Sequence, residues 1–186
     1  MPRTSRSPAD LALLPRWARV TGRRRAHVAR VAALLDGWAD AMEIADRERG
    51  RWLRAAWMHD ALKDAPVRLV RELADGAWDA PSLWHGPAAA ARAARAGERD
   101  RGVLDAVRYH SVGYAGWDAV GRMLYLADYL EPGRRHHDAR LEKYAARVPA
   151  DPDGMLRVVA SERIARGVAK GWPLLPETVA FWNAVA

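Results

Sequence analysis

A histidine and an aspartate are adjacent at His59-Asp60, in a segment whose apolar residues follow helical spacing. Leu53, Ala56, Trp57 and Asp60 recur at i, i+3, i+4 and i+7, which predicts that the carboxylate lies on the apolar face of a helix. An unpaired charge on that face costs several kcal/mol. A half-buried imidazole beside a carboxylate is suited to binding a divalent metal ion through nitrogen and oxygen. His-Asp dipeptides are common, so the pair gains meaning only if similar residues recur.

Three further ionisable residues, His27, His110 and Asp128, also lie at helical spacing from apolar neighbours. One such residue is more often a hydrogen-bonded core histidine or a capping acid. Burying several of them in one small core is too costly unless something neutralises them together. The recurrence therefore favours a pair of bound metal ions over several unrelated core residues.

His85 is a further candidate and stands directly before Gly86-Pro87 and an alanine-rich segment. Proline is tolerated in the first turn of a helix, so the pattern predicts a helix that begins close to this histidine. His85 would then project from the entrance of that helix. Taken alone, it fits a surface loop residue equally well.

The elements that must position these side chains are all predicted to be helices. Thr21 and Asp151 are expected N-caps, and Gly76, Gly97 and Gly171 are expected at C-terminal ends. No convincing period-two strand pattern is present, so the fold class is all-α. The predicted helices span residues 22–39, 43–63, 66–75, 87–97, 99–112, 117–130, 137–147, 151–170 and 176–184.

The 186 residues predict one domain, over residues 21–186, preceded by an N-terminal tail over residues 1–20 with a short helical piece around residues 9–14. Segments 75–87 and 131–138 contain proline, glycine and histidine. They are expected to be loops beside the site, because binding residues often lie on loops held by a rigid frame.

Five sequence motifs contain or adjoin the candidate residues. They are Arg24-Arg25-Ala26-His27, His59-Asp60-Ala61-Leu62-Lys63-Asp64, His85-Gly86-Pro87, Tyr109-His110-Ser111-Val112-Gly113 and Tyr125-Leu126-Ala127-Asp128-Tyr129-Leu130-Glu131-Pro132-Gly133-Arg134. Their order resembles that of the HD-domain metal-dependent phosphohydrolases, and more narrowly that of the bacterial HD-domain symmetrical diadenosine tetraphosphatases. The last motif is the most specific. The resemblance covers about residues 24–140, continues weakly near the C-terminus, and implies an HD-domain helical bundle.

The resemblance implies hydrolysis of diadenosine tetraphosphate to two ADP by a hydroxide that two divalent metal ions activate. It implies that Asp60 bridges the ions and is catalytic. One ion would be held by His27, His59, Asp60 and Asp128, and the other by Asp60, His85 and His110. The family points to iron, although histidine and carboxylate ligands also accept manganese, cobalt or zinc. Cysteine is absent, and no serine stands beside a histidine and a carboxylate in a recognisable motif, so no side-chain nucleophile is expected.

Phosphoryl transfer needs positive charge around the phosphate oxygens. Three basic residues of the motifs could supply it. Lys63 follows the His-Asp pair by one turn and is expected to be catalytic and to bind phosphate; a salt bridge to Asp64 or Glu72 is the alternative. Arg24 and Arg134 are expected to bind phosphate through their guanidinium groups. Glu131 is expected to cap or brace its loop.

The formal net charge of +7 at pH 7 is compatible with nucleic-acid binding. However, only three of the 30 basic residues are lysine, and the arginines are spread along predicted helices. That distribution is more typical of solvated helix faces. No apolar run is long enough for a membrane span or a signal-peptide core. The expected partner is a small dinucleoside polyphosphate, the expected location is the cytoplasm, and the family analogy suggests a homodimer.

Two other hypotheses remain open at this stage. An HD-domain phosphohydrolase could act on another nucleotide, such as a deoxynucleotide or a guanosine alarmone. A non-catalytic basic helical module that binds nucleic acid is the alternative from a different class. Bound metal, and loss of activity on replacing His59 or Asp60, would favour the hydrolase, whereas salt-sensitive RNA or DNA affinity would favour the module.

Overall fold

The computed structural model describes residues 14–133 and 138–186, and these residues form nine α-helices and no β-strand. The all-α prediction is confirmed. The helices are α1 Gly22–Ala41, α2 Asp46–His59, α3 Val67–Ala74, α4 His85–Arg95, α5 Arg101–Tyr109, α6 Ala119–Leu130, α7 Ala139–Arg147, α8 Pro152–Ala169 and α9 Pro176–Val185, with a short 3-10 turn at Pro81–Leu83.

The predicted helix ends are largely confirmed where the sequence carries a capping residue. The side chain of Thr21 accepts a hydrogen bond from the Arg24 amide, and that of Asp151 accepts one from the Gly154 amide. These bonds satisfy amide groups that have no partner inside the helix. Gly97 and Gly171 follow α4 and α8 with positive φ angles of 106° and 69°, a conformation that glycine adopts without strain.

Two helices end three or four residues earlier than predicted. Helix α2 ends at His59 instead of residue 63, and α5 ends at Tyr109 instead of residue 112. Asp60 and His110 therefore occupy the C-cap positions, where the chain leaves the helix. The hydrophobic spacing continues past both ends, which is why the sequence predicts longer helices. The turns that follow direct the two polar side chains into the interior.

Helices α2, α5 and α6 pack against one another at the centre, and α1, α4 and α8 surround them. Helix α6 is buried along most of its length, and Trp117, Tyr125 and Phe181 form an aromatic cluster beside it. Aromatic rings in edge and tilted contacts of this kind bury large apolar areas. The ionisable residues of interest lie at the ends and inner faces of these central helices.

The segment before α1 packs on the bundle from residue 14 onwards. The amide of Arg19 donates a hydrogen bond to the Ala61 carbonyl over 2.7 Å, and Trp17 packs against the core. Residues 1–13 of the predicted tail, and residues 134–137 of the predicted loop, lie outside the described residues. Within the described part of the chain, no helix has both the length and the apolar composition needed to span a membrane.

Candidate metal centre

The six predicted ligands come together in the centre of the bundle from five different helices. The side chains are supplied by the inner face of α1, the C-terminal end of α2, the first residue of α4, the C-terminal end of α5 and the last turn of α6. All six are buried, with relative exposures between 0% and 8%. In order along the chain they are His27, His59, Asp60, His85, His110 and Asp128.

One group of polar atoms forms around His27 and His59, whose Nε2 atoms are 3.3 Å apart. Asp60 Oδ2 lies 3.6 Å and 3.7 Å from these two nitrogens, and Asp128 Oδ1 lies 3.3 Å and 3.9 Å from them. Two nitrogens and two carboxylate oxygens therefore surround one small volume.

A second group forms on the other side of Asp60. The Nε2 atoms of His85 and His110 are 3.1 Å apart, and Asp60 Oδ1 lies 3.2 Å from the first and 3.6 Å from the second. Asp60 thus directs one oxygen to each pair of histidines. Burial alone would raise the pKa of its carboxyl group, but the surrounding histidines hold that pKa well below its usual value. The carboxylate form is the one that can share its oxygens between two cations.

In three of the histidines, a hydrogen bond at Nδ1 determines that Nε2 is the nitrogen that faces the centre. His59 Nδ1 lies 2.7 Å from the Ala56 carbonyl oxygen, and His110 Nδ1 lies 2.8 Å from that of Val107. A carbonyl oxygen can only accept, so each Nδ1 carries the proton and each Nε2 presents a lone pair. His85 Nδ1 has a similar acceptor in the Ser82 carbonyl at 3.0 Å. Partners of this kind orient metal-binding histidines in proteins.

This donor set fits divalent metal ions. Two ligand atoms bound to one ion at about 2.1 Å are roughly 3.0–3.4 Å apart, which matches the spacing of the paired Nε2 atoms. Lone pairs that converge at such distances in a buried volume repel one another unless a proton or a metal ion lies between them. The groups His27–His59–Asp60 and Asp60–His85–His110, each with ligand atoms within 4.8 Å of one another, could each hold an ion.

Glu131 has a larger role than bracing its loop. Its carboxylate is 1% exposed and accepts from His27 Nδ1 at 3.0 Å, Arg30 Nε at 2.6 Å and the Gly133 amide at 2.8 Å. Burial lowers the pKa of His27, but hydrogen bonds to Asp128 and Glu131 outweigh burial and raise that pKa to about 9. A proton and a metal ion therefore compete for His27 Nε2.

Glu131→Gln is expected to weaken metal binding by roughly 10–100-fold, because a side-chain amide has only one acceptor oxygen for the three donors that Glu131 serves. Its NH₂ group would face either His27 Nδ1 or the guanidinium of Arg30. Calorimetric titration of the metal-stripped protein with Mn²⁺ measures the effect. Glu98→Gln is the matched control, because Glu98 binds Arg54 and backbone amides away from the centre. Equal Mn²⁺ affinities for both variants would contradict the assigned role.

Two of the three predicted phosphate-binding residues lie at the edge of the centre. Arg24 Nη1 is 2.7 Å from Asp60 Oδ2, and its Nε is buried without a hydrogen-bond partner among the described residues. Lys63 Nζ donates to the Ser82 carbonyl over 3.1 Å and lies 3.1 Å from His85 Nδ1. Burial lowers the pKa of Lys63. The third, Arg134, lies outside the described residues.

Two further residues, Ser111 and Arg163, lie close to the predicted ligands. No serine nucleophile is expected from the sequence, and Ser111 Oγ lies 3.1 Å from His110 Nε2 and 3.4 Å from His85 Nε2. Arg163 of α8 approaches Asp128 Oδ2 to 3.6 Å. The Tyr109-His110-Ser111-Val112-Gly113 motif is the sequence signal for this serine, because it places Ser111 directly after a predicted ligand. Arg163 has no such signal, since it is one of many arginines in the chain.

Similarity to known proteins agrees with this arrangement. Two curated relatives are named symmetrical bis(5'-nucleosyl)-tetraphosphatase. The protein of Bacillus subtilis (strain 168) is 46% identical over 55 residues, which are 29% of this chain and 30% of the relative. The protein of Halalkalibacterium halodurans is 30% identical over 87 residues, 47% of this chain and 46% of the relative. The matched segments thus span less than half of either relative.

A solved structure from Clostridium acetobutylicum, described as a predicted HD superfamily hydrolase involved in NAD metabolism, superposes with a TM-score of 0.76. It covers 89% of this chain and 90% of its own, at 22% sequence identity, and so supports the fold. The chain matches the HD domain family over residues 24–133, more than half of its length and the part that carries all six predicted ligands. The chain therefore belongs to the HD-domain family, whose members bind divalent metal ions.

Proposed function

We propose that this protein hydrolyses diadenosine tetraphosphate to two ADP with the help of two divalent metal ions. The observation that carries the proposal is the division of the Asp60 carboxylate, with Oδ2 facing His27 and His59 and Oδ1 facing His85 and His110. A carboxylate placed in this way can bridge two cations. The names of the two curated relatives support the choice of substrate.

In this proposal one ion is held by His27, His59, Asp60 and Asp128, and the other by Asp60, His85 and His110. When bound, such a pair of ions makes water acidic enough to act as a nucleophile near neutral pH and neutralises charge on the phosphate oxygens. The nitrogen and oxygen donors suit iron, which the family resemblance favours, and also manganese, cobalt and zinc.

The basic residues at the edge of the centre would bind the polyphosphate. The buried Nε of Arg24 makes no hydrogen bond among the described residues and lies 3.7 Å from Asp64 Oδ1, beyond hydrogen-bonding distance. An unsatisfied buried donor costs about 1–3 kcal/mol. A phosphate oxygen would satisfy it while Nη1 stays on Asp60. Lys63 would add positive charge beside His85 and polarise the phosphate that reacts. Arg134 is proposed as a third phosphate ligand from its place in the sequence.

The single experiment that tests the function is product analysis by anion-exchange chromatography. Metal-loaded protein is incubated with diadenosine tetraphosphate, in parallel with Asp60→Ala. ADP as the sole product, lost in the variant, is the expected result. Equal amounts of AMP and ATP would mean cleavage at a different phosphate and would overturn the proposal. No turnover by a protein that holds its metal would reject this substrate and lead to a panel of other nucleotides.

Ser111→Ala distinguishes attack by water from attack by a serine. If water is the nucleophile, the variant loses only a neutral hydrogen bond, and kcat is expected to stay within about tenfold of the wild type with ADP as product. A nucleophilic serine would predict a loss on the order of 10⁶-fold. Steady-state kinetics of the two metal-loaded proteins decide the question, and the larger loss would exclude the proposed mechanism.

A further inference from the structure

Arg163 lies on α8, outside residues 24–133 that match the HD domain family, yet its side chain reaches the metal centre. The guanidinium carbon is 4.2 Å from the ring centroid of Tyr125 and 5.9 Å from that of Tyr129. These two tyrosines flank Asp128 on α6. Contact with the face of an aromatic ring stabilises a partly desolvated guanidinium and holds it in place.

The two terminal nitrogens of Arg163 connect two parts of the centre. Nη1 lies 3.6 Å from Asp128 Oδ2. Nη2 lies 3.2 Å from the Ser111 carbonyl oxygen and 3.5 Å from that of His110. One side chain therefore contacts a carboxylate of the first group of ligands and the backbone that carries a histidine of the second group.

The orientation of Asp128 follows from these contacts. Its Oδ1 faces His27 Nε2 at 3.3 Å, while Oδ2 faces Arg163. A cation beside Oδ2 disfavours rotation of the carboxylate and directs a single oxygen to the metal side. Nη1 is buried and has no hydrogen-bond partner in residues 14–133 and 138–186, so its ion pair with Asp128 is its main compensation for burial.

We propose that Arg163 is a positioning residue that fixes Asp128 and the end of α5, and thereby sets the affinity of the centre for metal. This inference rests on the proposed binding of two divalent ions. Arg163 acts through Asp128 and the His110 backbone. Arg163 thus extends the functional unit beyond the matched family region to α8, because its Nη1 places a cation 3.6 Å from Asp128 Oδ2.

Calorimetric titration of the metal-stripped protein with Mn²⁺ tests the proposal. Arg163→Gln is expected to weaken Mn²⁺ binding by about 10–100-fold, the usual effect of losing a group that orients a ligand. Arg163→Lys keeps the charge but not the fork that reaches both Asp128 and the carbonyls, so an intermediate affinity is expected. Arg166→Gln is the matched control, since Arg166 is an exposed arginine one turn further along the same helix. Circular dichroism of each metal-stripped variant verifies folding.

The outcomes separate this inference from the proposed function. Wild-type Mn²⁺ affinity in folded Arg163→Gln would overturn the positioning role, even if KM for diadenosine tetraphosphate rose, because that result would make Arg163 a substrate contact. If Arg163→Gln does not fold, Arg163→Lys decides, and an affinity equal to that of Arg166→Gln would overturn the role. Failure of the wild-type protein to bind Mn²⁺ or any divalent ion would reject the metal centre itself, and the inference with it.

Discussion

Asp60→Asn is expected to abolish metal binding at both halves of the centre and to lower the rate of hydrolysis by more than about 100-fold. Loss of a group that only orients a ligand costs 10–100-fold, and Asp60 would touch both ions directly. Asparagine has nearly the same shape, but it has no charge and only one acceptor oxygen. It can therefore no longer serve the His27–His59 and His85–His110 pairs together.

Metal content after loading and desalting, measured by inductively coupled plasma mass spectrometry, provides the readout for Asp60→Asn. The rise in melting temperature on adding Mn²⁺ is a second one, because a ligand that binds only the native state stabilises it. Asp40→Asn is the control: it makes the same chemical change at a carboxylate that pairs with Arg49 far from the centre. Two ions per chain in Asp60→Asn would show that another residue bridges the pair.

The helical class and most of the buried ionisable residues could be predicted from sequence because they follow from local patterns. The apolar spacing around His27 and Asp128 placed each on the inner face of a helix, and the structure agrees. The spacing did not reveal that α2 and α5 end at the metal centre. Asp60 and His110 continue the apolar repeat, so only packing shows that they leave the helix and turn inward.

Contacts between distant segments could not be predicted in this way. Glu131 lies 104 residues after His27 and binds its outer nitrogen, and Arg163 lies 35 residues after Asp128. Neither pairing leaves a periodic signal, since each depends on how α1, α6 and α8 pack together. Tyr125 and Tyr129, whose rings contact Arg163, belong to the most specific sequence motif. Their contact with Arg163 depends on how α8 packs against α6.

Gly86→Ala is expected to destabilise the protein by about 1–3 kcal/mol and to separate His85 from His110. A Cβ atom at residue 86 would lie 2.7 Å from the Arg108 carbonyl oxygen, 3.0 Å from that of Val107 and 3.3 Å from His110 Cε1. Because the first two are backbone atoms, α4 itself must move away from α5. The glycine of the His85-Gly86-Pro87 motif thus allows the close approach of α4 to α5 that brings the imidazoles of His85 and His110 together.

The second expected effect of Gly86→Ala is on activity, because displacement of a reacting group by about 1 Å can cost 10²-fold in rate. Urea denaturation of the metal-stripped protein measures the change in stability, and Mn²⁺ titration measures the loss of the His85–His110 half of the centre. Gly37→Ala is the control, and its expected effect on stability has the opposite sign. Gly37 lies within α1, and apart from its chain neighbours and the backbone of its own helix no atom lies within 4 Å of the added Cβ, so alanine there should stabilise by roughly 0.5–1 kcal/mol. If Gly86→Ala were as stable as Gly37→Ala and bound Mn²⁺ equally well, the approach of α4 to α5 would not be what assembles this half of the centre.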